Sequence, residues 1–241
     1  MDTSIANIPL GNLAIAFIPV ALSIALLIHW SLNAGSAVYS IVRMLLQLIA
    51  VGYLLVFIFE SDSFYITLGI IAIMILASSW IALRTIQYLR AKLFWYTVLA
   101  SLLGGGFVLL ISIGPVLNLT PMLTPQYAIP LAGMVFANSM NSMSLALERL
   151  DSELKSNKDF YQARNIAFHA SLIPVINSMF AVGIVSLPGM MTGQILSGVS
   201  PLIAVRYQIL VMCMIFSASA LSTALLLVLS KKSISRFSNL T

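Results

Sequence analysis

Long stretches of this chain carry no charge. Residues 3–42, 93–147 and 165–205 contain no Asp, Glu, Lys or Arg, and 44–59, 63–83 and 207–230 are equally free of them. A helix crosses the hydrocarbon of a bilayer with about 20 mostly apolar residues. The run from Leu93 to Leu147 is long enough for two crossings and a turn, and the turn is legible as Pro115, Pro121, Pro125 and Pro130 around Asn118 and Thr120. The pattern predicts an all-α polytopic membrane protein with seven spans, near 8–29, 38–59, 64–83, 93–116, 127–147, 166–186 and 204–229, in a single transmembrane domain over residues 1–241.

Composition excludes the alternatives. The chain is 60% hydrophobic and 8% charged, whereas a soluble protein is about a quarter charged. A single cysteine rules out a disulfide scaffold, and a net charge of +5 spread over few sites is not a nucleic-acid surface. Lys and Arg favour cytoplasmic loops. They fall between spans three and four (Arg84, Arg90, Lys92), between five and six (Arg149, Lys155, Lys158, Arg164) and in the tail (Lys231, Lys232, Arg236), but not near 60–63, 117–126 or 187–203. Seven spans with the N-terminus outside and the C-terminus cytoplasmic satisfy this parity, with Arg206 as the exception. No basic residue precedes the first apolar run, so that run reads as a retained span rather than a signal peptide.

Motifs for catalysis are missing: there is no HExxH, CxxC or paired-carboxylate arrangement, and no GxxxxGK[ST] with which to bind ATP. Cys213 reads as a small core residue, and His29 and His169 as boundary rings. Polar side chains at membrane depth are therefore the candidates, because they are costly there and face the bundle interior. Arg43 and Gln47 share one helical face; Arg43 reads either as part of a path or as a snorkelling cation. Asn138, Asn141 and Ser142 make a stripe beside Gly133 and Ala137, read as a transport path or as interhelical packing. Asn177 with Ser178, and the hydroxyls of span seven, are open in the same way. The segment Leu187-Pro188-Gly189-Met190-Met191-Thr192-Gly193-Gln194-Ile195-Leu196-Ser197-Gly198 is apolar yet rich in helix breakers. It reads as a re-entrant or broken segment over 187–200, with Pro188, Gly189, Met190, Met191 and Gly193 as an outer gate, or as a plain external loop.

Several strings carry a resemblance: Ile129-Pro130-Leu131-Ala132-Gly133-Met134 through Asn138-Ser139-Met140-Asn141, Leu172-Ile173-Pro174 with Asn177-Ser178, Val185 through Gln194, and Tyr207-Gln208-Ile209. With Arg43, Gln47 and Gly52-Tyr53 they resemble the FetB family of ABC transporter permeases over nearly the whole chain. Bacterial members are described as iron exporters working with a separate ATPase, and plant relatives as aluminium-tolerance or nucleotide-sugar transporters. The resemblance implies a multi-pass permease domain of the bacterial cell membrane, acting in metal ion homeostasis. It is a transport subunit rather than an enzyme, with two copies joined to two ATPase chains. Such a subunit has no cofactor of its own, and ATP sits on the partner. Which residues, if any, meet a metal is left unassigned.

The chain departs from the family pattern between spans five and six, where the family carries a longer loop with a Leu-Gly-Ala-Thr stretch. Glu148 to Arg164 lacks it. An ATPase-independent channel, carrier or scaffold therefore stands as the alternative. If an ATPase docks, Phe160 and Tyr161 in this loop are the expected contact, unless they are membrane anchors. The charge parity yields a direct test. A cysteine replacing Ser156 should react with an impermeant thiol reagent from the cytoplasm only, and one replacing Asn118 from outside only; labelling of both from one side is incompatible with seven spans.

Overall fold

The computed structural model describes residues 8–61, 63–121 and 123–238. Helix is the only regular structure among them apart from an isolated bridge between Val182 and Ser186. The chain forms two compact units, Met1–Ser61 and Asp62–Thr241.

The first unit holds α1 (Leu10–Ile15), α2 (Phe17–His29) and α3 (Ala34–Ser61). Ser31, at φ 56°, ends the second helix, and Asn33 starts the third by accepting a hydrogen bond from the Ser36 amide at 3.1 Å. That is the N-cap role for which a short amide side chain is suited. Leu10–His29 and Ala34–Ile58 are each long and apolar enough to cross a membrane.

The second unit begins with α4 (Phe64–Ala82), which a 3₁₀ turn (Leu83–Leu89) joins to α5 (Arg90–Ala100). Two π-helical stretches, Ser101–Gly106 and Ser112–Val116, flank α6 (Phe107–Ile111). The helical run Phe64–Val116 is folded back on itself, with Ile86 at φ −123°, ψ 60° where it turns. Trp80 meets Phe94 edge-on at 5.7 Å, and the Arg90 guanidinium lies 3.7 Å from the Trp80 ring centroid. Arg90 Nη2 also donates to the Trp80 carbonyl at 2.8 Å. That carbonyl is in the last turn of α4, where no helical partner remains, so one side chain both stacks on the ring and closes the helix end.

Helix α7 (Pro125–Lys155) packs against α4, α8 (Phe160–Ala181) and α10 (Pro201–Leu229). Pro125 and Pro201 each open a helix at its first turn, where a missing N–H is harmless. Ala128, Ala132, Val135, Ser139, Ser142, Ala146 and Leu150 of α7 are buried, the three-and-four spacing of a helix face turned to a core. Two apolar clusters stack along the bundle. One gathers Leu83, Leu93, Leu147, Leu150 and Leu226 toward the charged end; the other gathers Ile75, Ile113, Leu131, Phe136 and Met214. A short helix, α9 (Gly189–Leu196), precedes α10, and α11 (Lys231–Ser238) follows it, with Ile234 in the first cluster.

Three boundaries differ most from the sequence reading. Helix α7 runs eight residues past position 147, and α8 starts at Phe160 rather than near 166. Both outlast the uncharged segment because charged residues continue a helix readily once it leaves hydrocarbon. Only Ser156–Asp159 separate them. Asn157 adopts φ 60°, with its amide bonded to the Leu154 carbonyl and that of Lys158 to the Glu153 carbonyl, a Schellman ending. At its other end α8 stops at Ala181, five residues early. Val182 is extended and Gly183 sits at φ 85°, so the break precedes Pro188. Pro188 and Gly189 begin a helix here rather than ending one.

The tightest approach in the bundle is at Gly104. A Cβ built there would lie 2.6 Å from the Ser222 amide nitrogen and 2.8 Å from its Cα, whereas one at Gly193 meets nothing within 4 Å. Backbone cannot yield as a side chain can. Gly104→Ala should therefore lower the stability of the detergent-purified protein by about 1–3 kcal/mol, the range for overpacking. Gly193→Ala should leave the thermal midpoint unchanged or slightly raised.

Candidate functional site

The stripe on α7 opens into a cavity. Asn138, Asn141, Ser142 and Leu145 of α7 face Ser171, Pro174, Val175 and Ser178 of α8, and Met212 and Ile215 of α10 close the third side around about 230 Å³. On α8 the contributing positions are i, i+3, i+4 and i+7, one face of a helix. Asn138 Nδ2 donates to the Met134 carbonyl at 2.8 Å, Ser171 Oγ to Phe168 at 2.7 Å, and Ser178 Oγ to Pro174 at 2.9 Å. Hydroxyls that give their protons to their own helix keep lone pairs as acceptors. Pro174 lacks an N–H and so leaves the Ala170 carbonyl without its usual helical donor. The lining is thus neutral and rich in acceptors. It contains no carboxylate, imidazole or thiol, and no cluster of three or more His, Cys, Asp or Glu occurs among the described residues.

Of the expected path residues, the structure brings Asn138, Asn141 and Ser142 together. Asn177 is exposed on another face of α8, and its neighbour Ser178 lines the cavity instead. Arg43 and Gln47 lie one turn apart on α3 of the first unit, both exposed within it. In the expected gate, Met190 packs against the second apolar cluster, Met191 is half-buried, and Thr192 Oγ1 donates to the Pro188 carbonyl at 3.1 Å. A Cβ at Gly189 would meet no atom within 4 Å. Gly104 is a residue the sequence reading does not name, and Ser139, Gln194 and Gln208 are quoted there without a role of their own; each of these three has a buried side-chain oxygen with no hydrogen-bond partner. For Gly104 the signal was the Gly104-Gly105-Gly106 run in an otherwise apolar span.

The charged end is tied together by ion pairs. Glu153, 5% exposed, meets Arg149 at 2.6 Å and Lys158 at 2.5 Å, and Lys155 meets Asp151 at 2.7 Å. Tyr88 of the 3₁₀ turn also bonds to Asp151; burial and that bond push its phenol up to about 12. Phe160 packs against the first apolar cluster, and the Tyr161 hydroxyl accepts from Lys231 at 2.6 Å. Of the two proposed ATPase contacts, Phe160 is half-buried and Tyr161 remains 52% exposed. The Lys158 hydrogen bond, with the charge of Arg149 beside it, holds the Glu153 carboxyl below the usual carboxylate range. A depressed acid stabilises the fold above its unfolded pKa and loses that contribution as pH falls through the folded value. The gap in thermal midpoint between the wild type and Glu153→Gln should accordingly stay constant from pH 7 down to about 4.5, the ordinary glutamate value, and close as pH falls further through the depressed carboxyl. Parallel curves would show that the pair adds nothing.

Comparison with known proteins supports the membrane reading. The profile of an uncharacterised protein family, UPF0014, matches residues 10–164 and 160–234. The two segments meet beside the four-residue turn between α7 and α8. A UPF0014 membrane protein of Synechocystis is 39% identical over 83% of this chain and 84% of its own length. The "Probable iron export permease protein FetB" of Escherichia coli is 32% identical over 90% of this chain and 88% of that one. Protein ALUMINUM SENSITIVE 3 of Arabidopsis thaliana is 32% identical over 85% and 80%. No solved structure matches.

Proposed function

The chain belongs to the UPF0014 family of membrane proteins, and on that footing we propose that it is the seven-span permease subunit of an ABC exporter, paired with a second copy and served by separate ATPase chains. The cavity between α7, α8 and α10 carries this reading: it gathers two amide and three hydroxyl side chains on one side of an otherwise apolar space, and polar groups collected around a cavity within apolar helices suit a transport path. α7 and α8 complete the seven spans, and their positive ends are cytoplasmic. The short helix α9, packed against α10, acts as the outer gate. Its thioethers make an apolar plug, since soft sulfur is a poor match for a hard ferric ion.

Cargo follows from the lining. Amide and hydroxyl oxygens can pass iron, the cargo named for the E. coli relative, or a donor-bearing solute. With no anionic ligand in the cavity, residence is brief. The short turn between α7 and α8 favours a second reading, an ATP-independent channel or carrier, because it leaves little protruding loop for an ATPase to grip.

Cells expressing the chain with its ATPase should accumulate less iron than cells lacking it. Asn138→Leu with Asn141→Leu should abolish that difference at equal membrane abundance. Undiminished efflux in the variant removes the cavity from the path, and efflux that persists in de-energised vesicles without ATP selects the second reading.

A further inference from the structure

Arg164 and Lys231 at the charged end take part in no salt bridge among the described residues, whereas Arg149, Lys155 and Lys158 each do. Both lie against one ring instead. The Arg164 guanidinium carbon is 5.3 Å, and Lys231 Nζ 4.2 Å, from the Tyr161 centroid. Their hydrogen bonds leave donors over: Arg164 gives Nε and Nη2 to Asn165 Oδ1 at 3.1 and 2.8 Å, and Lys231 gives one N–H to Tyr161. Asp159 lies close in sequence, but its carboxylate caps α8 by accepting from the Tyr161 amide at 3.0 Å.

Beside Arg164 a groove of about 200 Å³ opens between α8 and α10, and Lys231 follows its wall residue Leu227 by four positions. Arg164 and Asn165 stand at one end, and Phe168, Ala224, Leu227 and Val228 form its walls. Phe168 lies four residues beyond Arg164, about 6 Å deeper along the helix, so the groove leads from the charged end into the apolar layer.

We propose that this groove holds an acidic phospholipid, its phosphate on Arg164 and Lys231 and the upper methylenes of one acyl chain between Phe168 and Val228. Cations set between helices at a membrane boundary are suited to anionic headgroups. The apolar walls continuing from them would add nothing for a free phosphate ion, and a zwitterionic lipid brings a choline that the two cations repel. The bound lipid joins the first turn of α8 to the last turn of α10, at the level where Lys231 already bonds Tyr161.

Native mass spectrometry of the full chain in detergent, with equimolar dioleoyl phosphatidylglycerol and dioleoyl phosphatidylcholine, tests this. Each of the two cations near an anionic headgroup contributes about 1 kcal/mol, so the wild type should retain phosphatidylglycerol about thirtyfold over phosphatidylcholine. Arg164→Gln with Lys231→Gln should bring the ratio close to one. Ala224→Phe, which leaves both cations but fills the groove, should lower phosphatidylglycerol retention several-fold, and excess inorganic phosphate should not displace the lipid. A wild-type ratio near one, or a ratio unchanged by removing the cations, overturns the proposal. So does full retention in Ala224→Phe, or displacement by phosphate, since either reduces the contact to a bare anion on two cations. Arg164→Gln alone keeps the Lys231–Tyr161 bond and decides the matter if the double variant does not purify.

Discussion

Helix α7 carries five amide or hydroxyl side chains between Asn138 and Ser144, and a stretch like that cannot face hydrocarbon on every side. The arrangement of the second unit follows from hiding it. Helices α4, α8 and α10 surround α7, burying Ser139 and Ser142 and leaving Asn138 half-covered. The fourth crossing comes close enough to help only because it has no side chains where it must approach. A Cβ at Gly104 would strike Ser222 of α10, and one at Gly105 would lie 3.0 Å from Phe136 and 3.1 Å from Val135 of α7. The π-helical stretch at Ser101–Gly106 falls at this contact, where a widened turn accommodates the approach. Interhelical hydrogen bonds add about 1 kcal/mol or less each, so close backbone packing contributes more than the polar side chains do.

Most of the helices were legible in the sequence because lipid imposes one rule that charge obeys. The runs between charged residues gave α4 to within a residue and the ends of α2 and α10 to the residue, whereas α3 and α10 start four and three residues before the expected 38 and 204. The same rule misplaced the ends of α7 and α8, since a helix leaving the membrane need not stop. Lys155 and Phe160 are set by the turn chemistry of Asn157 and the cap at Asp159. It also misassigned the break after α8. Pro188 is the more conspicuous residue, but a proline fits the start of a helix, and the chain reverses where Gly183 takes a positive φ.

The site was legible in part, and the division has a physical cause. Asn138, Asn141 and Ser142 share a face by helical spacing alone, so a single sequence suffices to group them. That Ser171 and Ser178 complete the cavity depends on how α8 is rotated against α7, which no local pattern fixes. Asn177 is the more polar neighbour and invites selection, yet it lies one position from the face that matters. Gln194 and Gln208 were hidden for another reason. Each is an isolated amide in an apolar stretch, and only the fold shows that it is buried without a partner for its oxygen.

Phe160 and Tyr161 illustrate how one pair of rings can serve two chemical purposes. Two aromatic rings beside charges do suit a groove on a soluble partner, but the same rings suit the base of a bundle. Phe160 packs against the first apolar cluster, and Tyr161 lies against Arg164 and Lys231. Also open at this end, besides Tyr161 and the turn before it, is the outer face of the α7 extension and the 3₁₀ turn, where Arg84, Gln87 and Glu148 are exposed. That surface is rigid, because Glu153 and Asp151 bind their cations within the bundle and Tyr88 links the turn to α7. A partner docking there would grip the ends of two hairpins at once. Force applied to α7 at its charged end would be delivered along a continuous helix to Asn138 and Asn141 in the cavity, without any separate coupling loop.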